Sequence, residues 1–320
     1  MASRGALTGV PVLPAGATQG GRAALTSSTH PLVELMHAED LLGEANWNKR
    51  HVLLKNAIAV SEFLQEDELL AAIERPLLRK PYFSVFKEGV WVRPEKIART
   101  RKLNGQTVEG LASAAGIRAA LAEGCTLKLN QMEDWHQPTR SLVRQIEAMV
   151  PAEVKAYTFY TPADNTGMLP HRDGSHVIAV QISGKKIWRL YVTPEHIDAR
   201  PGGVDVDPAG QTHEFVMEPG DVLYLPHGYP HAATTAQGAP SLHVTLTLTE
   251  PGPLELLQGL LETLQEDSSY LVREHHRFAL TDKGAAVAGA ITKHLKTVPS
   301  DRVIASALQG MRRRVVDDRP

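Results

Sequence analysis

The chain contains a single cysteine, Cys125, among its 320 residues. That excludes an intrachain disulfide and any zinc or iron–sulfur site built from several thiolates. No apolar run reaches the roughly 18 residues that a membrane-crossing helix needs. Neither sign of charge is in excess: 34 Lys and Arg stand against 36 Asp and Glu, for a formal charge of −2 and a pI near 6.7. This balance lacks the electrostatic footprint of a dedicated nucleic-acid binder, so no direct nucleic-acid binding is expected. There is no internal repeat and no sustained heptad pattern. The N-terminus has no compact apolar core behind a basic stretch, which argues against a secretory signal. The expectation is a soluble, cytoplasmic protein with no membrane partner. With 42% hydrophobic and 22% charged residues, a wholly disordered or fibrous chain is also excluded. At about 150 residues per domain the length fits one large or two modest domains. What the chain does have is 14 histidines, the one compositional pointer to metal chemistry.

Three zones follow from composition and periodicity. Residues 1–30 are rich in Gly, Ala, Ser, Thr and Pro without apolar period and read as a disordered leader. From 31 to 150 the pattern is mostly helical. A short helix begins at Pro31, a second carries its cap and acidic first turn from Ser61, and a third after Pro138 places Leu142, Val143, Ile146 and Met149 on one face. Between about 154 and 250 the period changes to short β-branched or aromatic-rich strands bounded by turns such as Ser183-Gly184 and Pro219-Gly220, the signature of an all-β barrel or sandwich. After Pro251 helices return. Leu254, Leu257, Leu260, Leu261 and Leu264 form an apolar stripe, and Ser300-Asp301 caps a segment carrying Val303, Ile304, Ala307, Leu308 and Met311.

The chemistry concentrates in the strand zone. His171 and Asp173 lie two apart, so on a strand both project from the same face and can reach one ion. His231 follows the run Asp221-Val-Leu-Tyr-Leu-Pro-His-Gly-Tyr-Pro. Two imidazoles and a carboxylate can occupy one face of an octahedral metal and leave the rest open, as in non-haem Fe(II) oxygenases. Alone, an H-x-D tripeptide is weak, because most such histidines are structural. Lys186 strengthens it. It shares a strand face with Trp188 and Leu190, so it should point inward, where an ammonium needs an anion. A dicarboxylic cosubstrate on the metal supplies one. In the competing register Lys185 faces inward, or a local carboxylate neutralises Lys186.

The run from His171 to Tyr191, with Gln181-Ile-Ser-Gly-Lys-Lys-Ile-Trp-Arg, resembles the central signature of the JmjC-type ribosomal oxygenases of the cupin superfamily. Gly220-Asp-Val-Leu-Tyr-Leu-Pro-His-Gly-Tyr-Pro-His231 matches their closing strand–turn. The likeness is strong over about 155–250 and looser over 31–150, at Asn46-Trp-Asn-Lys-Arg-His and Trp135-His-Gln-Pro. It implies a mainly β fold with flanking helices: a double-stranded β-helix, or jelly roll, with N-terminal and C-terminal helical segments. Residues 31–250 would form the catalytic domain and 251–320 a helical dimerisation region. The resemblance also implies Fe(II), 2-oxoglutarate and O2 as cofactor and cosubstrates. His171, Asp173 and His231 would be the metal ligands, and Lys186 the partner of the distal carboxylate. Thr245 and Tyr157 fall near the family's further cosubstrate or substrate contacts.

The implied activity is hydroxylation of a polypeptide side chain, with a ribosomal protein as partner. Hydroxylation of a small molecule or biosynthetic peptide, and non-oxidative metal binding by a cupin, stay open. The family usually continues into a winged-helix module. The 70 residues after Glu250 suffice for the dimerisation helices and hardly for that module. His227 stands where the family usually carries proline and is expected in an exposed loop. His243 is expected on the polar interior or in solvent, and His176, His196 and His213 at the surface. His275 and His276 are adjacent on an expected helix, so they face apart.

Overall fold

The computed structural model describes residues 29–317 except 76, 164, 166, 194–205, 237 and 268–278. The described residues divide into two compact units, one comprising residues 29–146 with Val154–Leu248, the other Glu147–Glu153 with Thr249 onward.

The first unit holds the β-structure. An eight-stranded sheet runs in the order β1 (Val52–Leu54), β11 (Val222–Leu225), β8 (His176–Ser183), β13 (Ser241–Thr249), β7 (Glu153–Thr161), β6 (Thr126–Leu129), β2 (Phe83–Lys87) and β3 (Val90–Trp91). A three-stranded sheet sets β9 (Lys186–Tyr191) between β10 (Gln211–Met217) and β12 (His231–Thr235). From β8 onward the chain crosses to the small sheet for β9 and β10, returns for β11, crosses again for β12 and returns for β13, the weave of a jelly roll, and β9 is antiparallel to both its neighbours. Val177 and Ala179 of β8, Leu223 and Leu225 of β11, Trp188 and Leu190 of β9 and Met217 of β10 share one buried cluster, so the two sheets face each other across a common core. β8 is buried on both faces, which explains why Val177-Ile-Ala-Val-Gln-Ile is nearly continuous rather than alternating.

β13 sorts its residues by face. In register Val177 opposes Thr247, Ala179 opposes Thr245 and Gln181 opposes His243, so these polar side chains point toward the space between the sheets. The intervening Leu242, Val244, Leu246 and Leu248 are buried on the other face. The β8–β9 turn needs glycine: Gly184 has φ +62°, and a Cβ there would collide with the Pro240 carbonyl.

Residues 31–150 are less helical than their pattern predicts. α1 (Pro31–Ala38), α2 (Glu66–Glu74), α3 (Pro94–Ile97), α4 (Ala114–Ala122) and α5 (Gln137–Glu147) are present, but β1 to β6 lie among them. α2 starts at Glu66 rather than near Ser61. Gln65 caps it in a reciprocal box, its own N–H donating to Glu68 at 3.0 Å. α5 buries Leu142, Val143 and Ile146 as expected. β4 (Ala98–Leu103) and β5 (Gln106–Ala112) pair only with each other. The leader expectation falls on residues 1–28, outside those described. His30, assigned to that leader, is instead buried and caps α1, its Nδ1 accepting from the Leu32 N–H.

The second unit is helical: α6 (Pro253–Asp267), α7 (Leu280–Thr297) and α8 (Ser300–Asp317). α6 and α8 touch at Gly259, where an added Cβ would stand 2.6 Å from the Val303 carbonyl oxygen and 2.7 Å from the Ala307 nitrogen. The leucine stripe of α6 splits. Leu264 is buried, while Leu254, Leu257 and Leu261 remain 71%, 52% and 44% exposed. His294 of α7 is buried and bonds to Thr263 at 2.9 Å. His275, His276 and the continuation Tyr270-Leu-Val lie outside the described residues. Among those described, no helix is long and apolar enough to cross a membrane.

Candidate metal centre

His171 lies in the segment between β7 and β8, β12 opens at His231, and the two form an antiparallel bridge. The His171 N–H donates to the His231 carbonyl at 3.0 Å, and the His231 N–H donates back at 2.9 Å. This pairing puts both side chains on one side, with ring centroids 4.4 Å apart. Each ring is then fixed by the carbonyl two residues upstream: His171 Nδ1 lies 2.8 Å from the Leu169 oxygen and His231 Nδ1 2.9 Å from the Tyr229 oxygen. A carbonyl only accepts, so both Nδ1 atoms carry the proton and both Nε2 atoms present a lone pair.

Asp173 completes the cluster. Its carbonyl accepts the Gly228 N–H at 3.0 Å, tying it to the turn before β12. Its carboxylate stands between the rings, Oδ1 3.7 Å from His171 Nε2 and Oδ2 3.6 Å from His231 Nε2. Those separations exceed a hydrogen bond. One atom from each residue lies within 4.8 Å of the other two, the spacing of donors around a shared ion. The histidines are buried while Asp173 is partly exposed, so the cluster has one open side. Burial and then the neighbouring His171 push the His231 pKa down, and Asp173 opposes them. His231 is therefore neutral at physiological pH, the state a metal ligand requires.

Lys186 points inward and is 2% exposed, whereas Lys185 turns outward to Glu218. Its Nζ donates to Thr161 Oγ1 and His243 Nδ1, each at 3.3 Å. Among the described residues it has no carboxylate partner. Burial alone pulls its pKa from 10.5 down to about 7. His243 is stacked on Phe159 at 4.9 Å, and burial, Lys186 and His231 hold it well below the usual imidazole range. Trp188 lies 5.6 Å from the His231 ring and 6.0 Å from His243, and its buried indole N–H has no acceptor among the described residues.

Tyr157 is on the same face of β7 as Phe159 and Thr161, but its ring meets Lys128, whose Nζ sits 4.2 Å from the centroid. Thr245 is buried one same-face step along β13 from His243. Sequence reasoning missed Lys128, Phe159 and Thr161. Lys128 of β6 is drawn down in pKa by burial and up by Asp173, so it belongs to this neighbourhood. The alternation in Thr126-Leu-Lys-Leu was the available signal, since Thr126 also reaches Thr161 at 3.1 Å.

Two histidines depart from expectation. His176 is fully buried, not superficial: it stacks on Trp47 at 3.7 Å, and its Nδ1 is 3.0 Å from the Tyr224 hydroxyl. His227 is half-buried, 6.1 Å from the His176 ring, rather than exposed. His213 is exposed as expected and His196 lies outside the described residues.

Interleaved sheets with a His-x-Asp pair and a distant histidine on their inner wall form a jelly-roll domain. Residues 131–256 match the family model described as the JmjC domain. Curated relatives agree. The chain is 31% identical over 173 residues to the bifunctional lysine-specific demethylase and histidyl-hydroxylase NO66 of Drosophila erecta, covering 52% of this chain and 26% of that protein. It is 32% identical over 191 residues to ribosomal oxygenase 2 of Bos taurus, covering 55% and 40%. The matches thus span well under half of those relatives. Among solved structures, the Escherichia coli protein YcfD aligns with a TM-score of 0.54 at 18% identity, over 82% of this chain and 68% of that one. Another structure of that ribosomal oxygenase contains cobalt and 2-oxoglutarate (TM-score 0.52, 18% identity, 81% and 67% coverage).

Proposed function

We propose that the protein is an Fe(II)- and 2-oxoglutarate-dependent oxygenase that hydroxylates a side chain of a ribosomal protein. One observation carries this reading: two bare Nε2 atoms and a carboxylate around one point, in the same barrel as a buried ammonium without an anion. The donor set suits a divalent iron, because two imidazoles and one carboxylate form a facial triad that leaves open positions. Lys186 suits a dicarboxylate, whose distal carboxylate would supply the missing counter-charge. A cupin that only binds a metal has no use for that ammonium.

Bound there, iron would supply the chemistry by which O2 oxidises the 2-oxo acid to succinate and CO2, one oxygen atom entering the succinate and the other a substrate C–H bond. The protein's own share is arrangement. The Leu169 and Tyr229 carbonyls hold the rings with Nε2 inward, as outer partners of metal-bound histidines do. Lys186, braced by Thr161 and His243, sets the direction of the cosubstrate chain. Trp188 and Phe159 keep water from the inner side, and Asp173 marks the open side from which a polypeptide enters. The names of the relatives, ribosomal oxygenase and histidyl-hydroxylase, support the choice of a ribosomal substrate.

We further propose that the unit before Glu250 is the catalytic domain and that the helices after it make a homodimer, through the exposed row Leu254, Leu257 and Leu261. A ribosomal substrate puts the protein in the cytoplasm. The test is turnover: purified protein with Fe(II) should convert 2-oxoglutarate to succinate and add the mass of one oxygen to a ribosomal protein. Succinate formation that ignores Fe(II), or none at all, overturns the reading.

A further inference from the structure

A strongly basic stretch of the chain runs through α3 into β4, the first strand of the β4–β5 ribbon. Residues 93–103 carry Arg93, Lys96, Arg99, Arg101 and Lys102 against the single carboxylate Glu95, in a molecule with formal charge −2. All six of these side chains are exposed. Among the described residues none of the five cations forms an ion pair. Across the ribbon Arg99 faces Leu111, Arg101 faces Val108 and Lys102 faces Thr107, and the one carboxylate of β5 is the exposed Glu109. Placing three cations on one strand against a single carboxylate on the other disfavours the folded ribbon.

The backbone carries the charges of β4 on a hairpin. Asn104 and Gly105, with φ of +49° and +81°, make the tight two-residue turn that joins Leu103 to Gln106. At the base, the Ala112 N–H donates to the Leu78 carbonyl at 2.7 Å and the Lys80 N–H to the Gly110 carbonyl at 2.9 Å. Beyond that base, residues 99–107 are exposed on both faces of the ribbon. A two-stranded ribbon solvated on both sides gains little from burial. Thr100, Asn104, Gln106 and Thr107, all exposed, add hydrogen-bonding groups between the charges. Cations interleaved with hydroxyl and amide side chains are the equipment with which proteins hold phosphates.

We infer that the β4–β5 ribbon is a docking surface for the phosphodiester backbone of RNA. The near-neutral total charge, which argues against a dedicated nucleic-acid binder, averages this ribbon with an acidic remainder and conceals it. The surface lies outside the candidate metal centre and does not depend on its chemistry.

The experiment is fluorescence anisotropy of the full chain with a short labelled single-stranded RNA, an RNA hairpin and DNA of the same sequence, at several salt concentrations. A parallel arm offers polyglutamate as competitor. The expected result is binding that weakens steeply with salt. The triple variant R99Q/R101Q/K102Q should bind at least about tenfold more weakly at low salt, with the log–log slope flatter by roughly 2–3. Its circular dichroism melt and succinate formation should match the parent, since these residues touch neither the core nor the metal centre. Equal grip on DNA supports a backbone site and assigns it to the phosphates rather than the 2′-hydroxyls. No RNA binding at low salt, unchanged binding by the folded variant, or polyglutamate displacing RNA at equal charge concentration would overturn the inference.

Discussion

His171 and His231, sixty residues apart, exchange both backbone hydrogen bonds of an antiparallel bridge, at 3.0 and 2.9 Å. The bridge places the donors by main-chain geometry before any ion arrives. Replacing any one ligand with alanine should therefore abolish metal retention and turnover but leave the melting temperature of the metal-free protein nearly unchanged. Metal content by mass spectrometry and a thermal melt check this for His171→Ala, Asp173→Ala and His231→Ala. Near-normal activity of His231→Ala contradicts the triad.

Lys186→Ala should raise the 2-oxoglutarate requirement without much change in iron affinity. A charge-assisted bond to a carboxylate contributes about 1.5–3 kcal/mol, which corresponds to roughly 10- to 150-fold in cosubstrate affinity. Lys186→Met should do the same and also stabilise the metal-free protein, because it removes a buried ammonium and keeps the packing. If Lys185→Ala raised the requirement instead, the inward assignment of Lys186 would fail.

A pH dependence follows from the same residue. The folded pKa is about 7 against 10.5 for the free side chain. Between those values the unfolded chain binds more protons than the native one, so Lys186 makes stability climb as pH rises from about 7 toward 10.5 and lowers it most below 7. A dicarboxylate that pairs with Lys186 restores the charge. Binding of 2-oxoglutarate to the Zn(II)-loaded protein at pH 8 should thus take up about one proton, read by calorimetry in buffers of different ionisation enthalpy. Proton release on binding contradicts the pairing.

In the helical unit, Gly259→Ala would drive a methyl group into the backbone of α8 at Val303 and Ala307. The helix-propensity gain of about 1 kcal/mol is smaller than the 1–3 kcal/mol that overpacking typically costs, so the melting temperature should fall. A rise would show that α6 and α8 separate freely.

Replacing Leu257 and Leu261 with Glu should give a monomer near 35 kDa by light scattering, against about twice that for the parent, with metal binding retained. A parent that is already monomeric on dilution removes the proposed dimer.

The strand zone was legible because its polar and apolar residues alternate in register with the two sheets. Lys186 and Trp188 on β9 and His243 and Thr245 on β13 all fall on the inward face that period two assigns them. The 31–150 zone was not, because Phe83-Ser-Val-Phe-Lys and Thr126-Leu-Lys-Leu are too short for periodicity to separate strand from helix. Asn104-Gly105, a hairpin signal, went unread inside a zone whose pattern reads as mostly helical. His176 looked superficial because nothing in sequence places Trp47 against it. The cluster around Lys186 was only half visible, since Thr161 and Phe159 reach it from a strand more than twenty residues upstream.

The most direct measurement of the central claim is intact-mass analysis of ribosomal proteins incubated with Fe(II), 2-oxoglutarate and either the parent protein or His231→Ala. The account predicts a ribosomal protein heavier by one oxygen atom with the parent only, at a yield that follows succinate formation. The same mass gain with His231→Ala, or succinate formation by the parent with every ribosomal protein unmodified, would contradict it.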